Sequence, residues 1–164
     1  MDKIHVFEAA GLGKAPFQYL GYYEDRGGRQ MQTATGLTVT VGAPGQPMGT
    51  CDYCGASIAI CCRIQSSDGK TFVVGSDCVM KTDDHGLKSK VNELKTELNR
   101  ARQDATITDN WAWVEENREI LSTIPHGKYS MLDSIEWFYK NAGRSGKIRI
   151  VKIARAAIAK AEGN

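Results

Sequence analysis

The feature that most constrains this chain is Cys51-Asp52-Tyr53-Cys54-Gly55, a C-x-x-C pair followed by glycine. Two thiolates held on one tight turn can point at a single cation, and the glycine accepts the backbone conformation that such a turn demands. A hairpin follows. Residues 57–64 are β-branched and small, Ser66-Ser67-Asp68-Gly69 reads as a turn, and Thr71-Phe72-Val73-Val74 as a second strand. With the turn centred between Ser67 and Asp68, Cys78 falls opposite Ser57 and position 81 opposite Cys54, so Cys78 returns to the knuckle as a third ligand. Cys62 falls opposite Val73. It lies roughly 26 Å from Cys54 along an extended strand. Cys61 and Cys62 are therefore read as small strand residues, one facing each way. A redox pair is the weaker reading, because such pairs sit at a helix N-terminus near a βαβ pattern, and here a strand follows.

A closed structural zinc site takes four ligands. His85 follows Cys78 closely in the chain, at the entry to the first long helix, and is the favoured fourth. His126 in a loop, His5 near the N-terminus, and an aspartate ligand from Asp77 or Asp83 are the alternatives. The cofactor implied is one structural Zn2+.

Around this centre the pattern predicts an α+β fold: an N-terminal β segment over 1–50, a zinc-ribbon or treble-clef-like hairpin over 51–85, and a helical region over 86–164, together one compact unit. In the first segment, 3–7 and 17–24 read as strands, Arg26-Gly27-Gly28-Arg29 as a tight turn, and 30–41 as one threonine-rich strand. Gly42-Ala43-Pro44-Gly45-Gln46-Pro47 is a loop. Beyond the hairpin, Leu87, Val91, Leu94, Leu98, Ala101 and Ala105 form one apolar stripe, predicting a helix over 86–105. Asp109 is read as the cap of a second helix to about Ser122, ended by Pro125-His126-Gly127. Ser130 and Asp133 have capping-box spacing and open a third helix that Gly143 closes. A fourth begins at Ser145 or Gly146 and runs to about Ala161.

The composition excludes several classes. With 164 residues, 41% apolar and 24% charged, the chain suits a globular domain. It has no apolar run of about 18 residues for a membrane span and no signal-peptide pattern at its start. A cytoplasmic protein with reduced thiols is expected. Gly11-Leu12-Gly13-Lys14 lacks the spacing and the following helix of a phosphate loop, because Ala15-Pro16 comes next. It reads as a turn joining two strands. No nucleophile elbow surrounds a serine. His5-Val6-Phe7-Glu8 misses the H-x-E spacing of zinc deaminases by one residue. No enzyme is expected, and no small-molecule substrate is evident.

Several segments carry a resemblance: residues 5–17, residues 42–48, the knuckle, Asp68-Gly69-Lys70, Val74-Gly75-Ser76-Asp77-Cys78-Val79, Glu136-Trp137-Phe138, and Asn141-Ala142-Gly143-Arg144-Ser145-Gly146-Lys147. They are similar to a group of small phage- and plasmid-encoded zinc-finger-like proteins. The resemblance implies a mobile-element origin, hence a host cytoplasm, and a zinc finger. It transfers no activity. A histidine at position 85 is not a fixed feature of that group, which leaves the fourth ligand open.

The net charge of +2 conceals an asymmetry. Lys140, Arg144, Lys147, Arg149, Lys152, Arg155 and Lys160 stand against Glu162 alone at the C-terminal end. Wound as a helix, residues 147–161 put Arg149, Lys152, Arg155 and Lys160 opposite an apolar arc of Val151, Ala154, Ala157, Ile158 and Ala161. The free N–H groups at 143–147 suit a phosphate. Two function classes follow. In one, a zinc-binding accessory protein of a phage or mobile element binds DNA or RNA through Arg144, Lys147, Arg149, Lys152 and Arg155. In the other, a protein-interaction module inhibits or redirects a host defence protein, and the zinc is purely structural. Of Trp111, Trp113 and Trp137, one is expected to be partly exposed.

Overall fold

The computed structural model describes residues 4–162. It has the α+β architecture expected from the pattern. The chain divides into two compact units, Met1–Lys95 and Thr96–Asn164, rather than the single unit read from the sequence.

The first unit opens with helix α1 (Val6–Ala9), where a strand over 3–7 was expected. Lys3 lies outside the described residues. The remainder turns helical because the His5 Nδ1 accepts the Phe7 N–H at 3.1 Å and so caps the first turn. Strand β1 (Phe17–Glu24) pairs antiparallel with β6 (Ile60–Ser66), which pairs antiparallel with β7 (Thr71–Gly75). The sheet order is β1-β6-β7. In the β6–β7 hairpin Cys62 lies opposite Val74, one residue from the expected partner. Cys61 and Cys62 are both buried, as two successive strand residues are when both faces of a sheet are covered.

The threonine-rich stretch is a hairpin and not one strand. Strands β2 (Arg29–Gln32) and β3 (Thr38–Val41) pair through the turn Thr33-Ala34-Thr35-Gly36. The Thr33 Oγ1 accepts the Leu37 N–H at 3.1 Å, and Gly36 sits at φ 79°. A local hydroxyl bond thus competes with extension of the strand. One short pair, β4 (Gly49–Thr50) with β5 (Ser57–Ile58), completes the β part of this unit. Helix α2 (Ser76–Met80) leads directly out of β7.

Phe7, Phe17 and Phe72 form an edge-to-face cluster with ring centroids 5.4–5.8 Å apart, the geometry that ring quadrupoles prefer. Ile64, Val74 and Val79 are fully buried. The Gly11–Lys14 segment joins α1 to β1 and not two strands. It seats on the β6–β7 turn, where Ser67 N–H donates to the Lys14 carbonyl at 3.0 Å and Lys14 N–H to Asp68 Oδ1 at 3.2 Å. At Gly13, φ is 121° and a Cβ would run into Ser66, so glycine is required there.

Helix α3 (His85–Glu116) has 32 residues and spans about 48 Å at 1.5 Å per residue. The sequence suggested two helices, with Asp109 capping the second. The helix instead runs through Asp109, since nothing in 106–112 breaks it. Thr106 and Thr108 return their hydroxyls to the Arg102 and Asp104 carbonyls at 2.9 and 3.1 Å, which keeps both residues compatible with a helix interior. Leu87, Val91 and Leu94 are buried; Leu98 is half-buried, and Ala101 and Ala105 are exposed. The stripe predicted on this helix is thus buried only over its first two turns or so.

The second unit holds the rest of α3, α4 (Arg118–Thr123), β8 (Pro125–His126), β9 (Tyr129–Ser130), α5 (Met131–Asn141) and α6 (Arg144–Glu162). Its core is Val114, Leu121, Met131, Ile135, Ile150, Val151, Ala154 and Ile158. The Ser130–Asp133 capping box forms as expected. Among the described residues, no helix is long and apolar enough to cross a membrane.

Candidate metal centre

The knuckle is the loop of the β4–β5 hairpin. Cys51 N–H donates to the Ala56 carbonyl at 2.9 Å and Gly55 N–H to the Cys51 carbonyl at 2.8 Å. Gly55 takes φ 72°, the left-handed conformation that lets the chain reverse within four residues. Asp52 pins the loop to β7 from both sides: its N–H donates to the Val73 carbonyl at 2.8 Å, and its Oδ2 accepts the Val73 N–H at 2.6 Å. Tyr53 packs edge-on against Phe7, centroids 5.4 Å apart, so the knuckle is tied to the aromatic core. Cys78 comes from the first turn of α2, not from a strand end.

These elements bring three sulfurs together. Cys78 Sγ lies 3.8 Å from Cys51 Sγ and 3.4 Å from Cys54 Sγ, and the three lie within 4.8 Å of one another. All three are free thiols, well beyond the roughly 2.05 Å of a disulfide. Cys51 and Cys78 are buried and Cys54 is exposed. Gly75 N–H donates to Cys51 Sγ at 3.4 Å. The Ala56 N–H, above all, holds the Cys54 thiol below its ordinary pKa. Burial pushes Cys78 up to about 12. Three soft donors with amide N–H groups aimed at two of them form a site suited to a metal ion, whose charge would offset the cost of burying thiolates. Neither the Asp52 bracket nor the N–H groups of Gly75 and Ala56 were read from the sequence. The aspartate inside the C-D-Y-C run was the available signal.

Among the described residues the cluster is the three cysteines alone. His85, the favoured fourth ligand, is the exposed first residue of α3 and does not join it. Between Cys78 and His85 the chain completes α2 and passes through Lys81–Asp84 before α3 begins. His5 is stacked against Phe7 and Phe17, with centroids 5.0 and 4.6 Å away. Its Nε2 stands 4.0 Å from Asp84 Oδ2, and burial holds its pKa below the usual value. His126 belongs to the second unit, where its Nδ1 is 2.9 Å from Ser134 Oγ. Asp77 turns to Lys95 Nζ at 2.8 Å, and Asp83 is not part of the cluster either.

The basic C-terminal helix divides into two sets. Arg144 is tied to Asp104 by two bonds of 2.6 and 3.0 Å. Arg155 lies 4.8 Å over the Trp113 ring and donates to Asn110 Oδ1 at 3.1 Å. Lys147 stands 5.8 Å over Tyr139. Arg149, Lys152 and Lys160 are exposed, and no carboxylate pairs with them among the described residues. The buried face of α6 is Ile150, Val151, Ala154 and Ile158. Ala157 is half-buried and Ala161 exposed, so the apolar arc is rotated slightly from the expected one. No family model, curated protein or solved structure matches the chain.

Proposed function

We propose that this is a zinc-binding accessory protein of a phage or other mobile element that binds nucleic acid through α6. Zinc is the metal that best suits the donors, because a tetrahedral ion with Zn–S bonds of about 2.3 Å sets S···S edges of about 3.8 Å. The Cys51–Cys78 and Cys54–Cys78 separations of 3.8 and 3.4 Å support that choice. In this reading Cys51, Cys54 and Cys78 hold the ion, and its role is to lock the knuckle to β7 and α2.

The observation that carries the nucleic-acid reading is the solvent face of α6. Arg149, Lys152, Ala156 and Lys160 recur at helical spacing on exposed positions, and the three basic side chains have no acidic partner among the described residues. Such a row neutralises phosphates and releases counterions. Arg144 and Arg155 serve mainly to hold α6 to Asp104, Asn110 and Trp113. The contact is therefore narrower than the five residues named from the sequence.

A salt titration tests this. Binding to duplex DNA and to RNA at ~50 mM salt should weaken with a log–log slope of about −0.9 per phosphate contacted. The double variant Arg149→Glu/Lys152→Glu should flatten that slope by about two units. Absence of binding at ~50 mM salt, or a slope untouched by the double variant, removes the reading. A second reading, a module that binds a host protein, draws on the exposed rings of Tyr129 and Trp137. A pull-down from host lysate after nuclease treatment that retains no protein eliminates it.

A further inference from the structure

Helix α5 distributes its apolar side chains unevenly. Met131 and Ile135 are buried in the core, while Trp137 is 59% exposed and Tyr129, on β9, is 69% exposed. These two rings line one groove of about 630 Å³ together with His126, Asp133, Ser134 and Phe138. Trp137 and Phe138 stand edge to face, centroids 5.3 Å apart and planes at 75°, so the groove has two aromatic walls close to perpendicular. The Asp133 carboxylate, which accepts the Ser130 N–H and hydroxyl at 3.1 and 2.7 Å, supplies its negative charge.

Two other rings of this unit carry a cation, while Trp111 stacks on Tyr139. Trp113 is covered by the Arg155 guanidinium and Tyr139 faces the Lys147 ammonium. Among the described residues no lysine or arginine lies over Trp137 or Tyr129, and none lines the groove. Aromatic faces with a carboxylate beside them attract a desolvated cation, and alkylammonium groups in particular are held by such walls.

We propose that this groove binds a cationic side chain, a lysine ammonium or its methylated form, presented by a basic segment of a protein partner. The charge of Asp133 selects that occupant. A nucleobase would stack on the same rings, but its phosphate would lie near the carboxylate with no lysine or arginine in the lining to offset it. The groove is separate from the α6 row, so the inference stands whether or not nucleic acid binds there.

The test follows the Trp137 indole N–H resonance, identified by its loss in Trp137→Phe, in the intact protein. The probes are a lysine-rich peptide, the same peptide trimethylated on lysine, and an oligothymidylate. Both peptides are expected to move that resonance, the trimethylated one at lower concentration, with tetramethylammonium chloride as competitor. Trp137→Ala and Tyr129→Ala should each weaken the peptide by about fivefold to thirtyfold, the scale of one cation–π contact. Asp133→Asn, which keeps a capping acceptor, should weaken it as well. Unshifted Trp111 and Trp113 resonances report that these variants fold. A Trp137 signal indifferent to both peptides, or equal affinity in the variants, overturns the proposal. So does a shift with oligothymidylate alone, which would make the groove a base-stacking platform.

Discussion

Leu121, Ile135, Ile150, Val151 and Ile158 pack into one cluster in the second unit, and every helix of that unit contributes to it. In the first unit, by contrast, no residue between Phe17 and Gly49 is buried. Met31, Leu37 and Val39 on the β2–β3 hairpin are left exposed. Its core is Phe7, Phe17 and Phe72 with Ile64, Val74, Val79, Leu87, Val91 and Leu94, and two thiols of the knuckle converge with a third from α2. The comparison teaches where order comes from in each part. In the second unit, interdigitated side chains from every helix supply the core. The first gathers its buried side chains on the sheet and its flanking helices and leaves residues 18–48 without one, and a metal at the three thiols, as proposed above, would add a point constraint. A cation held by Cys51, Cys54 and Cys78 would crosslink the knuckle that follows β4 to α2.

The sharpest way to break this contrast is to withhold the metal. Zinc in finger peptides contributes on the order of 10–16 kcal/mol of apparent folding free energy, and the aromatic core sets how much of that loss the first unit survives. All three tryptophans, Trp111, Trp113 and Trp137, lie in the second unit. Their fluorescence therefore melts with that unit alone, while hydrogen exchange at β6 and β7 amides reads the other. Chelator, or Cys51→Ser, is expected to erase protection in β6 and β7 and leave the tryptophan melting curve nearly in place. Unchanged protection after the metal is gone would show that the thiol cluster is not what orders the first unit.

The reciprocal test is a cavity in the second unit. Leu121 is fully buried, and Leu→Ala at such a site costs about 2–5 kcal/mol. Leu121→Ala should lower the tryptophan-detected melting temperature by several degrees and leave metal stoichiometry at one per chain. Parallel loss of metal would mean that the two units do not behave separately.

Much of this was legible, and for identifiable reasons. The knuckle and Cys78 were found because a C-x-x-C-G turn and a hairpin of known length leave few places for the third thiol. The capping box of Ser130 and Asp133 was found because its spacing is a local, bonded rule. The errors share a cause as well. Thr33-Ala34-Thr35-Gly36 was read as strand, although Thr33 closes a turn on Leu37 through its own hydroxyl. Asp109 was read as a cap, although the hydroxyls of Thr106 and Thr108 bond back along the helix. In both places a polar side chain chose between two backbone partners, and composition does not record that choice. His85 failed for a different reason. Nearness in sequence stood in for nearness in space across the turn that follows α2. The pairing of Arg144 with Asp104 spans a long stretch of chain, and nothing in a helical charge pattern announces it.

The smallest effect concerns how the second unit responds to acid. The Ser130 side chain bonds hold the Asp133 carboxyl below its ordinary pKa, and Arg144 does the same for Asp104. A carboxyl whose pKa falls on folding contributes stability above its unfolded value of about 3.9, and that contribution is lost as pH drops through the folded value. The tryptophan-detected stability of this unit should thus be level near neutrality and decline below about pH 5. Ser130→Ala removes an N-cap bond to the Asp133 N–H, costing about 1 kcal/mol near neutral pH, and it also takes away the main cause of the Asp133 shift. Its acid decline should be shallower than that of the parent, and adding Arg144→Gln should flatten it further. If the first unit holds a metal on its three cysteines, as proposed, acid competes for the ligands and would release it, so β6 and β7 protection should collapse at higher pH than the tryptophan signal. If the two signals instead fell together, at one pH and with one slope, the separation between a cation-stapled unit and a packed one would be wrong.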